Sequence, residues 1–403
     1  MNHETGRPRI AFLTAYDLND ISRWSWAGTF YHMAQALQEH CGEVTQLGPL
    51  SCWEQPVARG IHKVTRQMLK KNFTPNHCFL VAKKYGRIAA KRLAGQAFDV
   101  IFAPSAEPEI AFLKTDIPIV LVEDATYGQL INYYPAYSNL LKRSVYELNA
   151  LEKQALDKAS LVVLWSEWAA RSVIDGYQVH PEKVRVVPSG ANFNTAPAEE
   201  QVLRREKSGS CRLLFVGVDW ERKGGEIAFE ALLKLHEMGI QAELIVCGCT
   251  PPEGFSHAYM RVIPFLDKND ARQRQELETL YMTSDFLFLP TRCDAYGLVF
   301  CEASAYGLPA ITTNTGGVSG VVVEGENGFM LPSDARGDEY ARLIAQLYQD
   351  DQCYAALVRS SRSVFEGRLN WDAWGRSMAN LITELLDQAR SSKRSHEFEL
   401  KPS

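Results

Sequence analysis

The sequence predicts a two-domain α/β protein, each domain a parallel sheet wound on both faces by helices. Two observations carry this. Apolar runs of strand length alternate with amphipathic stretches of helix length, the pattern that buries strands between helical layers. A polar segment at 191–210 (ANFNTAPAEEQVLRREKSGS), with no apolar run longer than two residues, interrupts the alternation, which then restarts. The 403 residues also suit two domains at roughly 100–200 residues each.

Taken in order, Arg9–Thr14 (RIAFLT) reads as a first strand and Thr29–Gln38 as the helix after it. Asp99–Ala103, Ile117–Val122, Leu161–Trp165 and Val184–Pro188 read as further buried strands, with helical patterns at Asn139–Lys158 and Glu167–Asp175. Beyond the 191–210 linker, strands are expected at Arg212–Val216, Ala242–Cys247, Asp285–Pro290 and Pro309–Thr313. Helices are expected at Gly225–Met238, Ala271–Thr283, around Phe300–Tyr306, at Gly337–Asp350 and at Trp371–Ala389, before a polar tail read as disordered. The domains are therefore 1–190 and 211–370, with the tail at 391–403. Ligands are expected outside the carboxyl ends of the strands, in a cleft between the two halves.

Composition excludes several classes. With 46% hydrophobic and 23% charged residues, the chain is neither collagen-like nor disordered. No apolar run approaches the ~20 residues a bilayer-spanning helix needs, and the polar start at Met1–Arg9 does not read as a secretory signal. Nine scattered cysteines, an odd number, fit a reducing compartment. Cys247 and Cys249, the close pair, lack partners of zinc-site spacing. The expected location is cytoplasmic.

The net charge of −5 is unevenly spread. From Gln55 to Phe98 there is no Asp or Glu but ten Lys and Arg, which leaves −15 for the remainder. This stretch reads either as a solvated helical face or as a patch facing something anionic, such as the inner surface of a membrane. An acidic chain without a recognition module is not expected to bind nucleic acid.

The most informative segment is 290–327, PTRCDAYGLVFCEASAYGLPAITTNTGGVSGVVVEGEN. Asp294 lies in the loop after a strand, Tyr296, Gly297, Leu298 and Val299 begin the next helix, and Glu302 follows Asp294 by eight positions. Glycine lets backbone approach a ligand closely, and the N–H groups at a helix start attract phosphate. Glu302, near the first helical turn, is placed to accept from vicinal sugar hydroxyls. Taken singly, Asp294 reads as a helix cap and Glu302 as a surface acid. With Pro309 and Gly316-Gly317 downstream, the combination reads as a site. Cys293 and Cys301 flank it, read as packing residues.

This segment resembles the E-x7-E region of retaining GT-B glycosyltransferases of glycosyltransferase family four. The likeness extends to Leu214-Phe215-Val216-Gly217 with Glu221-Arg222-Lys223-Gly224, to Val187-Pro188-Ser189-Gly190-Ala191-Asn192, to Gly28-Thr29 and to the closing Trp371–Ile382 helix. It implies two Rossmann-like domains, the first on the acceptor side and the second binding a nucleoside diphosphate sugar, with the helix at about 371–390 packing back on the first.

The resemblance implies roles residue by residue. Arg222 and Lys223 would hold the donor diphosphate, where fixed cations stabilise developing charge. Gly28 and Gly217 would open backbone towards it, and the N–H groups of Tyr296, Gly297 and Leu298, with Val299 beside them, would add contacts. Asp294 would accept from the transferred sugar and Glu302 from the ribose. Asp294 stands where most relatives carry Glu, and Glu123-Asp124 where many carry His-Asp, so Asp124, with Glu123 second, takes the place of the histidine. Trp24 and Trp26 beside Gly28 are candidates for an acceptor platform. No Asp-x-Asp occurs, so no metal or other cofactor is expected. The implied reaction is sugar transfer with retention, by a front-face route, to a saccharide or lipid-linked hydroxyl. A sugar-nucleotide epimerase, a phosphorylase of the same fold and a non-catalytic nucleotide-sugar-binding module stay open as alternatives.

Overall fold

A computed structural model describes residues 6–18, 28–193, 195–205, 207 and 209–399. The chain forms two compact units: the described residues up to Val187 together with those from Trp374 onward, and residues 188–373. Trp24 and Trp26 lie outside the described residues.

The first unit holds a six-stranded sheet of β1 (Arg9–Phe12), β2 (Glu43–Gln46), β3 (Val100–Pro104), β4 (Ile119–Glu123), β5 (Leu161–Leu164) and β6 (Val184–Val186), in the order β2-β1-β3-β4-β5-β6. Every pairing is parallel. β3, β4 and β5 are buried throughout, as strands covered on both faces must be. Phe12 packs on Phe102 with ring centroids 5.3 Å apart, and Phe102 meets Trp374 edge-on at 6.0 Å. That contact brings the closing helix, Trp371–Glu399, into the first unit's core, where Met378, Ile382 and Leu386 are also buried. The helix corrects the expectation of a disordered tail from 391, since helical backbone continues to Glu399. Apolar positions had set its expected end, but polar residues extend a helix readily when its earlier turns are anchored.

The second unit holds β7 (Cys211–Val216), β8 (Ala242–Cys247), β9 (Met260–Ile263), β10 (Phe286–Leu289), β11 (Ala310–Thr313) and β12 (Gly328–Leu331), in the order β12-β11-β10-β7-β8-β9. All pairings are again parallel. Connections leave β7 towards β8 on one side and reach β10 on the other, so the order reverses between β7 and β10. The loops after those two strands lie at this reversal, the place where sheets of this kind bind ligands.

The segment 191–210, expected as a linker, belongs to the second unit. It carries a short helix, Glu199–Leu203, whose Val202 is fully buried. A Cβ at Gly307 would come within 2.6 Å of the Val202 side chain, so a glycine there lets this helix seat. Arg205 donates to the carbonyls of Met282 and Tyr306, both at 3.0 Å. Phe193 against Tyr281 and Tyr306, and Lys207 against Asp351, also hold the segment, by contacts too scattered along the chain for hydrophobic periodicity to reveal.

Candidate active site

The loops after β7 and β10 bring together most of the second-unit residues nominated from the sequence. After β7 the chain turns through Gly217 to Gly224, which has φ 77° and opens the helix Gly225–Glu237. A Cβ at Gly224 would fall 2.0 Å from the Pro290 carbonyl oxygen, so only glycine lets this turn lie against the loop after β10. At Gly217 a Cβ would lie 2.8 Å from the Lys223 Cγ, and at Gly248 one would lie 2.7 Å from the Gly217 carbonyl. The ends of β7 and β8 therefore meet backbone to backbone.

Lys223 reaches across this turn to the Asp294 carboxylate, and both side chains are buried. Burial lowers the Lys223 pKa, and the carboxylate of Asp294 opposes that shift. Arg222 donates to the Cys293 carbonyl at 3.1 Å and lies 3.7 Å from the Asp219 carboxylate. Its guanidinium thus braces the loop that carries Asp294.

Gly297, at φ 94°, opens the helix Leu298–Ala305, with Leu298 and Val299 half-buried in its first turn. A Cβ at Gly297 would lie 2.6 Å from the Phe300 ring. Helix starts leave N–H groups without intrahelical partners, and this one begins four residues after Asp294. Tyr296 points inward, its hydroxyl 3.4 Å from the Ser189 carbonyl oxygen, so its contribution to a ligand is limited to backbone. Glu302 falls in the second helical turn, later than expected, and is buried. One of its carboxylate oxygens accepts from Lys268 and the other from the Tyr281 hydroxyl at 2.8 Å.

Lys268 and Tyr281 were not nominated from the sequence. Lys268 follows β9 in the polar run Asp267-Lys268-Asn269-Asp270, and Tyr281 sits inside the helix Ala271–Thr283. Neither carries a motif, and topology alone brings them to Glu302. Cys293 and Cys301 are buried with thiol pKa values raised by burial, Cys301 to about 12, which suits packing.

In the first unit Gly28 adopts φ 86° and opens the helix Thr29–His40. Asp124 follows β4 and lines a cavity. Glu123 does not line it, which corrects its assignment as an acceptor contact: as the last residue of β4 it is 1% exposed. Its carboxyl lies among those of Glu107 and Glu152, whose ligand oxygens fall within 4.8 Å of one another. Burial, then the neighbouring acids, raises Glu123 well above the carboxylate range.

Comparisons with known proteins divide the chain in the same two parts. Residues 28–194 match the family model for Glycosyltransferase Family 4, and residues 199–364 match that for Glycosyl transferases group 1. The chain belongs to glycosyltransferase family four. Among curated family members, the D-inositol 3-phosphate glycosyltransferase of Corynebacterium jeikeium is 26% identical over 254 residues, which is 58% of this chain and 59% of that protein. The chain therefore spans about six-tenths of the length of that relative. The enzyme of the same name from Corynebacterium efficiens is 26% identical over 326 residues, 76% of each chain. Among solved structures, a sucrose-phosphate synthase from Thermosynechococcus elongatus superposes with TM-score 0.67 at 16% identity, covering 95% of this chain and all of the other. Anabaena HepE in complex with UDP-glucose superposes with TM-score 0.62 at 14% identity, covering 94% of this chain and all of that one. These likenesses show the GT-B fold.

Proposed function

We propose that this family-four protein transfers a sugar from a nucleoside diphosphate sugar to a hydroxyl of a saccharide or lipid-linked acceptor, with retention of configuration. The single observation that carries the donor half is the buried constellation at the β7–β10 reversal. Lys223, Lys268, Asp294 and Glu302 gather there beside two helices opened by left-handed glycines. Relatives named as glycosyltransferases and a structural neighbour holding UDP-glucose support the same donor class.

Each group has a task in this reading. The helix start at Leu298 faces the diphosphate with N–H groups that lack intrahelical partners, while the Gly225 N–H is taken by the Trp220 carbonyl at 2.8 Å. Lys223 supplies positive charge as the leaving phosphate gains negative charge, a contribution that grows in a water-poor site. Asp294 holds Lys223 in place and accepts from sugar hydroxyls, while Arg222 fixes the loop. Lys268 and Tyr281 orient Glu302 for the ribose hydroxyls. Asp124 serves on the acceptor side, and Gly28 opens backbone towards the diphosphate. With lysines supplying the cationic field, no divalent ion is required. The departing phosphate accepts the acceptor's proton, and positioning supplies much of the rate.

The protein is further read as working at an anionic membrane surface. The acid-free basic stretch supports this, as do exposed Trp53, Val57, Ile61, Val64 and Met68 in and beside the helix Glu54–Leu69. No helix among the described residues is long and apolar enough to cross a membrane.

The test is a thermal-shift panel of nucleoside diphosphates followed by turnover with the matching sugar nucleotide and saccharide acceptors. One base is expected to raise Tm, and turnover is expected to survive EDTA. Lys223→Met is expected to lose on the order of 2–4 kcal/mol of transition-state stabilisation, roughly 10²–10³ in kcat. Removing Lys223 also strands a buried carboxylate, so the Lys223→Met, Asp294→Asn double variant controls for folding. If no nucleoside diphosphate shifts Tm, or if Lys223→Met turns over normally, the reading fails.

A further inference from the structure

The first unit holds a cavity of about 270 Å³ at the carboxyl ends of β1, β3 and β4, where the connections leave β1 in opposite directions. Its size suits a single six-membered ring. Tyr16, Phe30, His77, Asp124, Tyr127 and Tyr137 form most of its wall. Tyr16 stacks on Phe30 at 5.5 Å, and the His77 ring meets Tyr127 edge-on at 5.3 Å and Tyr137 at 6.4 Å. Tyr127 and Tyr137 lie 5.9 Å apart. Aromatic faces of this kind receive the C–H face of a sugar ring, while hydroxyls and carboxyls at the rim bind its polar edge.

The electrostatics of the cavity are one-sided. No Lys or Arg is among the residues that line it, whereas Asp124 and Glu107 are. The Tyr127 hydroxyl donates to Glu107 at 3.1 Å, and Glu123 and Glu152 lie directly beyond it. Burial raises the pKa of each of these glutamates, Glu123 well above the ordinary value and Glu152 and nearby Glu109 to about 8. Burial also lowers His77 to about 4, so its imidazole is neutral at physiological pH. Among the described residues a ligand therefore meets aromatic rings, hydroxyls, a neutral imidazole and the acids Asp124 and Glu107. Among the described residues that line the cavity an anion would find no cation to pair with, and unpaired buried charge is strongly disfavoured.

We propose that this cavity binds an uncharged, hydroxyl-rich ring, the acceptor saccharide, and excludes its phosphorylated or carboxylated counterparts. Its role as the acceptor site rests on the transferase reading above, whereas ring binding and charge selection do not. The selection is opposite in sign to what the names of the D-inositol 3-phosphate relatives describe.

Titration of the full chain, followed by calorimetry and ligand-observed NMR, tests this with methyl α-glucopyranoside, methyl α-mannopyranoside and myo-inositol as uncharged probes. Glucose 6-phosphate, mannose 6-phosphate and inositol 3-phosphate are their anionic counterparts, and each series is run with and without UDP. At least one uncharged probe is expected to bind at least tenfold more tightly than its phosphate. Tyr137→Ala, which alters a half-buried wall residue, should weaken that binding at least tenfold. Glu107→Gln with Asp124→Asn should narrow the ratio between neutral and phosphorylated probe. Phosphates binding as well as the uncharged rings, no uncharged ring binding, or indifference to Tyr137→Ala would each overturn the proposal. UDP binding is read separately. A chain that binds the ring but no nucleoside diphosphate keeps the cavity and loses the transferase reading, and the reverse result loses the cavity alone.

Discussion

Gly224 shows how much a single residue decides here. Its left-handed backbone and its approach to Pro290 leave no room for a side chain. Gly224→Ala is expected to destabilise the protein by about 2–3 kcal/mol, read by urea unfolding, and to weaken nucleoside diphosphate binding because Lys223 moves with the turn. The buried glutamates act through protons. Glu109 and Glu152 hold protons in the folded protein up to about pH 8, whereas in the unfolded chain they release them near the ordinary value of about 4.3. The folded state thus binds more protons across that window, so stability is full below it and falls as pH rises through it. Tm is expected to drop between pH 5 and pH 8, and Glu123→Gln, which removes the acid between Glu107 and Glu152, should flatten the slope. At this scale Lys223, Asp294 and Glu302 could be singled out as candidates because spacing and residue type coincide with expected helix starts. Glu123 was misread, since a sequence does not show which of two adjacent acids ends a strand facing inward. Lys268 and Tyr281 were invisible, because only the three-dimensional return of β9 brings them to Glu302.

The central strands announced themselves, and among the edge strands β6 did so while β2, β9 and β12 did not. β3 and β10 are continuous apolar runs, β4 is apolar up to Glu123 and β11 opens with Ala310-Ile311, and all four are buried throughout. β2, β9 and β12, each at the edge of its sheet, were not anticipated, because edge strands such as Glu43–Gln46 carry polar, half-exposed side chains. The helix Asp351–Arg368 was missed for a related reason, its apolar positions being diluted by arginine and serine. The closing helix supplies a test of packing. Trp374 is buried against Phe102, and Trp374→Ala is expected to cost about 3–5 kcal/mol, measured by chemical denaturation. The helix Glu54–Leu69 supplies a test of surface. Ile61→Asp with Val64→Asp alters side chains already in solvent, so folding should be unaffected while co-sedimentation with anionic vesicles falls. Equal pelleting with neutral and anionic vesicles would remove the membrane reading.

For the whole molecule, two doubly wound sheets were predicted from alternation alone, and two parallel six-stranded sheets are found. Less legible was the ownership of segments between them, because 191–210 looks like a tether by composition yet folds as part of the second unit. A nucleoside diphosphate at 100 times its Kd should stabilise the folded chain by about 2.7 kcal/mol, seen as a rise in Tm. The residues proposed to hold the donor could be singled out because glycines and charged residues sit close together within each of two stretches, 214–224 and 290–302. The first-unit cavity draws on residues from Tyr16 to Tyr137 and could not be singled out in this way.

The return of the final helix to the first unit also sets an order of assembly. Trp374 is separated from its partner Phe102 by everything from 188 to 373. During synthesis, then, the earlier-made lobe waits half-finished, with the floor beneath Phe102 uncovered, until the later one has left the ribosome. A stalled or clipped nascent chain would expose that apolar floor, giving quality-control machinery a natural place to grip.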